Sequence, residues 1–465
     1  MGFVLFNSLY KKKEPLKPLE PGKVKIYTCG PTVYNFVHIG NLRTFVFEDL
    51  LVRYLSIRGY DITQVMNLTD IDDKTIKGAN QEKVPLNTYT KKYKDAFFED
   101  LKILNFKPAK YYPEATAHIP EMIHIIETLL KKNIAYQGAD GSVYFSIQKF
   151  KDYGKLSGMK QEDLKAGAGG RVLADEYSKE EAQDFVLWKA WQKEDGDIFW
   201  ETPLGKGRPG WHIECSAMSM KYLGESFDIH CGGVDNLFPH HENEIAQSEA
   251  FSEKPFVSYW MHAAFLTVQN EKMAKSKKNF YTLRELLDKG YSPLAIRYAL
   301  LSAHYRQPLN FSEELLTQST AALKRIHDFI SRVKLLEKPV EKTLTLEITQ
   351  QAQEEFFSFM DDDLNIAPAL GSFFEWIRKI NAMIDDLGNK DKEVIFSFLQ
   401  KIHDILGVFS LQEEVLEEEI NALIALRNQA RAHKDFKKSD EIRDELLKKG
   451  IRLKDGKEVT RWERI

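Results

Sequence analysis

The chain has 465 residues, a formal net charge of -4, 43% hydrophobic residues and three cysteines. Its length calls for two to four domains with real cores, and its near-balanced charge neither demands nor excludes a polyanionic partner, since local patches decide that. Three thiols cannot build a disulfide framework, which leaves metal binding or catalysis as their better use.

In chain order, residues 1–9 form a mildly apolar run whose lysines follow rather than precede it, the wrong order for a signal peptide. No segment is long enough to span a bilayer, and a reducing cytoplasm fits the cysteine usage. Residues 24–28 alternate branched and aromatic side chains and predict a strand. Residues 42–55 have helical spacing, 60–67 read as a second strand, and 88–104 as an amphipathic helix. An insertion-like stretch runs from about 111 to 202, with a helix over 119–132, a short strand over 142–147 and a Gly-rich loop at 167–170. A second strand-rich block covers 228–231 and 256–268, and after residue 292 strands are expected to stop. Helical patterns then cover 312–336, 344–360, 367–387 and 391–406, followed by a charged linker or helix start at 413–419. The final stretch, 427–465, holds 13 Lys/Arg against 8 Asp/Glu and is locally basic. The layout is an α/β body, an all-α tail and a small basic end.

Four groups of residues carry chemistry. Cys29 ends the first strand, just before the turn with His38-Ile39-Gly40-Asn41 that opens the first helix. Gly40 allows close backbone approach, the helix start favours anions, and His38 can donate to a phosphate oxygen. The lysine run Lys272-Met273-Ala274-Lys275-Ser276-Lys277-Lys278 suits a polyphosphate. His240 and Glu244 are four apart, in what reads as a helix start after Pro239, so they share a face. With Cys29 and Cys215 they offer two thiolates, an imidazole and a carboxylate, all acceptable to zinc. His241, Glu242 and Cys231 compete for those places. Asp70, Asp72 and Asp73 could hold a divalent ion, but a capped turn before a helix at Lys74 is the better reading. Trp211, His230 and Asp235 lie beside the candidate ligands as pocket walls.

These motifs together resemble cysteinyl-tRNA synthetase, a class I aminoacyl-tRNA synthetase. The nucleotide motifs look like His-Ile-Gly-His and Lys-Met-Ser-Lys-Ser. The stretches around Cys29, Cys215 and His240, and also Thr-Asp-Ile-Asp-Asp-Lys, Asp-Phe-Val-Leu-Trp-Lys and Met-Asp-Asp-Asp-Leu-Asn, look like that family's. The resemblance covers nearly the whole chain. It implies an α/β Rossmann-like parallel-sheet catalytic domain split by an insertion, then an all-α helical bundle and a small C-terminal anticodon-binding segment. The expected boundaries are 1–110 and 203–268 for the two catalytic halves, 111–202 for the insertion, 269–311 for the signature loop and linker, 312–412 for the bundle and 413–465 for the anticodon segment.

The resemblance also implies roles. Zinc falls to Cys29, Cys215, His240 and Glu244, and the ATP and catalytic contacts to His38, Gly40, Asn41, Lys272 and Lys275. Thr69, Trp211 and His230 would line the amino-acid pocket. The implied reaction makes cysteinyl-adenylate from ATP, with Mg²⁺ accompanying the nucleotide, and transfers cysteine to the terminal adenosine of tRNA(Cys). Zinc would hold the substrate thiolate, and the insertion is short for an editing domain. A cytoplasmic monomer with no membrane partner is expected. Alternatives are a cysteine:amino-sugar ligase of the same superfamily and a non-catalytic zinc- and tRNA-binding protein. Asn41 and Ala274 depart from the signatures, and Cys231 adds a thiol where the family pattern is richer in glycine.

Overall fold

The computed structural model describes residues 2–159, 184–272, 281–411, 418–433, 435–448, 451–455 and 460–464. The Gly-rich loop at 167–170, Lys275 and most of the charged stretch at 413–419 lie outside them. The chain forms two compact units, Met1–Phe409 and Ser410–Ile465.

In the first unit a hairpin of β1 (Val4–Asn7) and β2 (Lys12–Pro15) precedes β3 (Lys23–Thr28), α1 (Ile39–Ile57) and β4 (Asp61–Met66). Alternation in β3 buries Val24 and Ile26. Helices α2 (Asp73–Glu82), α3 (Leu86–Ile103) and α4 (Ile119–Lys131) follow. The insertion carries β5 (Ala135–Gln137), β6 (Val143–Phe145), β7 (Phe185–Ala190), β8 (Trp200–Thr202) and β9 (Gly205–Pro209) in an antiparallel sheet of order β5-β6-β7-β9-β8. The chain then runs through α5 (Trp211–Leu223), β10 (Phe227–Gly233), α6 (Glu242–Ser252) and β11 (Val257–Ala263).

The central sheet has the order β11-β10-β3-β4 and is parallel throughout. From β3 the chain adds β4 on one side, and from β10 it adds β11 on the other. The boundary between β3 and β10 is therefore a topological switch point, where a crevice opens at the strands' carboxyl ends. Cys29 sits there, its N–H donating to the Cys231 carbonyl at 3.2 Å. The next residue must be small, because a Cβ on Gly30 would lie 1.7 Å from the Asn67 carbonyl oxygen.

The block read as strand over 256–268 is split. β11 ends at Ala263, and β12 (Leu266–Val268) joins a separate sheet of order β13-β12-β14 with β13 (Glu271–Lys272) and β14 (Leu309–Phe311). β14 corrects the expectation that strands stop after residue 292. Three residues are too short to show a period, and β14 exists because it finds β12, more than forty positions earlier in the chain. Next come α7 (Leu283–Asp288), α8 (Pro293–Leu301), and the bundle helices α9 (Glu313–Lys334), α10 (Leu346–Asp361), α11 (Ile366–Ala382) and α12 (Asn389–Leu406). The bundle helices place Ile326, Phe356, Phe373 and Phe398 inside at helical spacing.

The second unit holds α13 (Glu418–Ala432), α14 (Phe436–Lys448) and an antiparallel hairpin of β15 (Ile451–Asp455) and β16 (Thr460–Arg464). Ile420, Ile442 and Leu446 form its core. The hairpin is a second departure from the expectation that strands stop after residue 292, and its charged residues alternate with Ile451, Leu453 and Trp462 as a half-buried strand requires.

Candidate active site and metal centre

Cys29, His240, His241 and Glu244 are buried together at the switch point, each with a ligand atom within 4.8 Å of the others'. Glu244 is held by two imidazoles, its Oε2 2.9 Å from His230 Nε2 and its Oε1 3.0 Å from His240 Nε2. Cys29 Sγ lies 3.3 Å from His241 Nε2. Cys215, on the first turns of α5, lies beside both Cys29 and His240. Three of the four family-implied ligands thus belong to the tightest cluster. Its fourth member is His241, with Cys215 against it.

The local route differs from the helix expected after Pro239. The regular helix α6 begins at Glu242, and His240 sits in a wide turn, Leu237–His241, closed by His241 N–H donating to Asn236 O at 2.8 Å. Phe238 is extended within this turn (φ -141, ψ 133), which breaks the helical path, and the chain still brings His240 back to Glu244.

The electrostatics favour a cation. Burial works against charge on Glu244, yet His230 and His240 hold its carboxyl down at about 2. Burial likewise opposes a charged His240, but Glu244 and Cys215 raise it to about 10. The bond from Cys29 lowers Cys215 to about 6, whereas burial pushes Cys29 up. Burial keeps His212, His241 and His262 neutral, the form in which imidazole ligates metals. Neutral imidazole, thiol sulfur and carboxylate converging in a dry pocket are a donor set that fits Zn²⁺.

A layer of partners orients these groups. His241 Nδ1 lies 2.9 Å from His262 Nε2, and His262 Nδ1 lies 2.8 Å from Ser8 Oγ. His212 Nδ1 is 2.8 Å from His240 Nδ1. The Trp211 ring stacks on His240 at 4.2 Å, and His230 stacks on Trp260 at 4.5 Å. Trp211 and His230 therefore both touch the cluster. Thr69 is buried one layer out, accepting from Asn67 Nδ2 at 3.1 Å and standing beside Glu214. The sequence reading missed His212, Trp260 and His262. Their only signal was a run of histidines and tryptophans spread over fifty residues.

At the start of α1, His38 is the N-cap. Its Nδ1 accepts from Gly40 N–H at 3.1 Å and Asn41 N–H at 3.2 Å, and Asn41 Oδ1 accepts from His38 N–H at 3.3 Å. With Nδ1 accepting, the neutral ring carries its proton on Nε2. Asn41 uses its oxygen in this capping box, which leaves its amide as a donor. The lysine segment leaves from Lys272 at the end of β13 and returns at Tyr281, whose carbonyl accepts from Ile39 N–H at 2.9 Å. Tyr281, the first described residue after the lysine segment, thus lies against the start of α1.

The acidic triplet is spoken for by protein. Asp72 caps α2 and Asp70 binds Thr116, while Asp73 pairs with Lys189 and Arg208. The capped-turn reading is the one the geometry matches.

Residues 15–321 match the model of the class I tRNA synthetase (C) catalytic domain, 355–411 the DALR domain, and 413–462 the cysteinyl-tRNA ligase anticodon binding domain. The chain is 50% identical to the cysteine–tRNA ligase of Brachyspira hyodysenteriae, with 99% of each chain covered. It is 49% identical to that of Protochlamydia amoebophila, covering 98% of this chain and 97% of the relative. Among solved structures it is similar in fold to Mycobacterium tuberculosis methionyl-tRNA synthetase in complex with methionyl-adenylate, with TM-score 0.61, 13% identity and 83% and 92% of the two chains covered. An Agrobacterium radiobacter leucyl-tRNA synthetase complex gives TM-score 0.60 at 10% identity, covering 84% and 85%. The chain belongs to the cysteinyl-tRNA ligase family of class I synthetases.

Proposed function

We propose that the protein ligates L-cysteine to tRNA(Cys) in two steps. The cysteine carboxylate attacks the α-phosphate of ATP, giving cysteinyl-adenylate and pyrophosphate. The terminal adenosine of the tRNA then attacks the adenylate's carbonyl carbon and releases AMP. The observation that carries this reading is the buried Cys29–His240–His241–Glu244 cluster at the switch point, in a chain of this family.

Cys29, Cys215, His240 and Glu244 are the proposed zinc ligands, with His241 close enough to compete for a place. Bound there, zinc would take the substrate's sulfur as thiolate, for which a serine hydroxyl is a poor substitute. An apolar pocket separates near-isosteres by only about 1–3 kcal/mol, so recognition through sulfur removes the need for editing. Trp211 walls the pocket over His240, while His230 orients Glu244 and Thr69 supports the pocket from one layer out.

For ATP, the His38 Nε2–H and the Asn41 amide donate to phosphate oxygens at the amino end of α1. Lys272 and Lys275 neutralise charge as the α-phosphate is attacked, and Mg²⁺ accompanies the nucleotide. The catalytic body is assigned to 1–110 and 203–268, with the insertion at 111–202 and the signature region at 269–311. Residues 312–412 are the bundle and 413–465 read the anticodon, where Phe436, 63% exposed, offers a face for base stacking. Among the described residues no helix is long and apolar enough to cross a membrane. A cytoplasmic monomer completes the reading.

The test is cysteine-dependent ATP–pyrophosphate exchange, followed by addition of tRNA(Cys). Exchange without tRNA charging would point to an amino-sugar ligase, and absence of exchange to a binding protein. Changing Cys29 to Ser should lower both zinc content and cysteine activation, by at least about 10-fold. Unchanged values for both would sink the metal assignment.

A further inference from the structure

Both ends of the lysine segment are tied to the first two turns of α1. The returning end is bound directly, through Ile39 N–H to Tyr281 O and the pairing of His38 with Thr282. The departing end is bound through a relay. β13 pairs with β12, and β12 with β14. The turn between β12 and β13 is fastened to β14 by Asn270 N–H donating to Asn310 Oδ1 at 2.7 Å. β14 begins two residues after the turn at 304–307, and that turn is itself joined to the end of β11 by Ala264 N–H donating to Tyr305 O at 2.7 Å.

Arg43 grips this turn. It stands two residues after Asn41, and its side chain is almost wholly buried, at 2% exposure. Nη1 donates to Leu300 O at 2.9 Å, and Nη2 donates to His304 O at 3.1 Å and to Gln307 O at 2.8 Å. Leu300 lies in the last turn of α8, whose carbonyl end favours a cation. A planar guanidinium spans three carbonyls in fixed geometry, which an ammonium on a flexible stem cannot copy. The turn is braced on its far side by Asp363, which accepts from Tyr305 Oη and Arg306 Nε, both at 2.7 Å.

We propose that Arg43 is a positioning residue for adenylate formation. It fixes β13, whose last residue is Lys272, relative to the His38–Asn41 turn, so that Lys272 and that turn meet one nucleotide at one spacing. This rests on the ATP site read above. Arg43 touches no substrate in this account. Its effect falls on the transition state, where a displacement of about 1 Å in a charged group costs about 10²-fold in rate.

The experiment measures steady-state ATP–pyrophosphate exchange in Arg43→Lys, in Asn310→Ala and in the double variant. Asn310 is exposed and lies at the far end of the relay, so its removal spares the core. Arg43→Lys should lower kcat by about 10²-fold, with the KM for cysteine within twofold of wild type. Asn310→Ala should lower kcat less, with the same split, and the double variant should fall short of the product of the two single effects. The proposal is overturned by an unchanged kcat in either folded variant, or by a cysteine KM that rises in step with the loss of kcat. Should Arg43→Lys not fold, Asn310→Ala alone decides on the same two readouts. Wild-type protein without cysteine-dependent exchange would instead overturn the reading of the ATP site itself.

Discussion

At the scale of single residues, the Cys29–His240–His241–Glu244 cluster shows how chemistry is concentrated by burial. Glu244 is a fully buried carboxylate that stays charged because two imidazoles face it. Removing either partner would leave a buried charge with only one imidazole facing it, which is costly. Trp211 acts differently: its ring covers His240. Trp211→Ala should raise the KM for cysteine about 10-fold, as loss of an aromatic contact near 1.4 kcal/mol predicts, and leave kcat for exchange nearly unchanged. A comparable fall in kcat would place Trp211 in the reaction rather than in the wall. Cys231 is buried at the end of β10, and burial raises its thiol well above the usual value. It is held as a neutral thiol and gives its carbonyl to Cys29.

At the scale of elements, α1 is the organising helix. It buries residues on all sides, including Arg43, Asp49 and Arg53. Asp49 binds Arg53 at 2.7 Å and also Arg297 from α8. Arg297 donates to the carbonyl of Leu406, and Arg53 to that of Asp404. Two guanidinium groups, one from α1 and one from α8, thus cap the carboxyl end of α12. Gly407 completes this cap with φ +63, and a Cβ there would meet the Arg53 guanidinium at 3.1–3.2 Å. Gly407→Ala should cost about 1–2 kcal/mol in urea unfolding, from the left-handed backbone and the crowding together. Arg297→Met should cost more, about 3 kcal/mol, because Asp49 loses one of two buried partners. Equal stability of the Arg297 variant and wild type would show that the cap contributes nothing.

At the scale of the whole molecule, the division into Met1–Phe409 and Ser410–Ile465 separates the activation chemistry from the basic end. The cysteine cluster, the α1 start and the strands launching the lysine segment all belong to the first unit. Removal of residues 413–465 should therefore leave cysteine-dependent exchange within about twofold, while tRNA charging falls by 10-fold or more, since lost phosphate and base contacts weaken tRNA affinity. Loss of both steps in equal measure would argue against a separate anticodon module.

The sequence by itself determined the α/β body, the bundle helices and the presence of a thiol, imidazole and carboxylate set. Each rests on local information: period two in β3, helical spacing in α9 to α12, and side chains whose chemistry does not depend on their neighbours. The tertiary structure alone decided which of these residues meet. His241 joined the cluster and Cys215 stood against it because β3, α5 and α6 converge at the switch point, across more than two hundred positions of sequence. β14 was invisible because a three-residue strand is stabilised wholly by its distant partner. Arg43 carries no signal in one dimension; its role comes from three carbonyls that reach it only when α8 folds back onto α1.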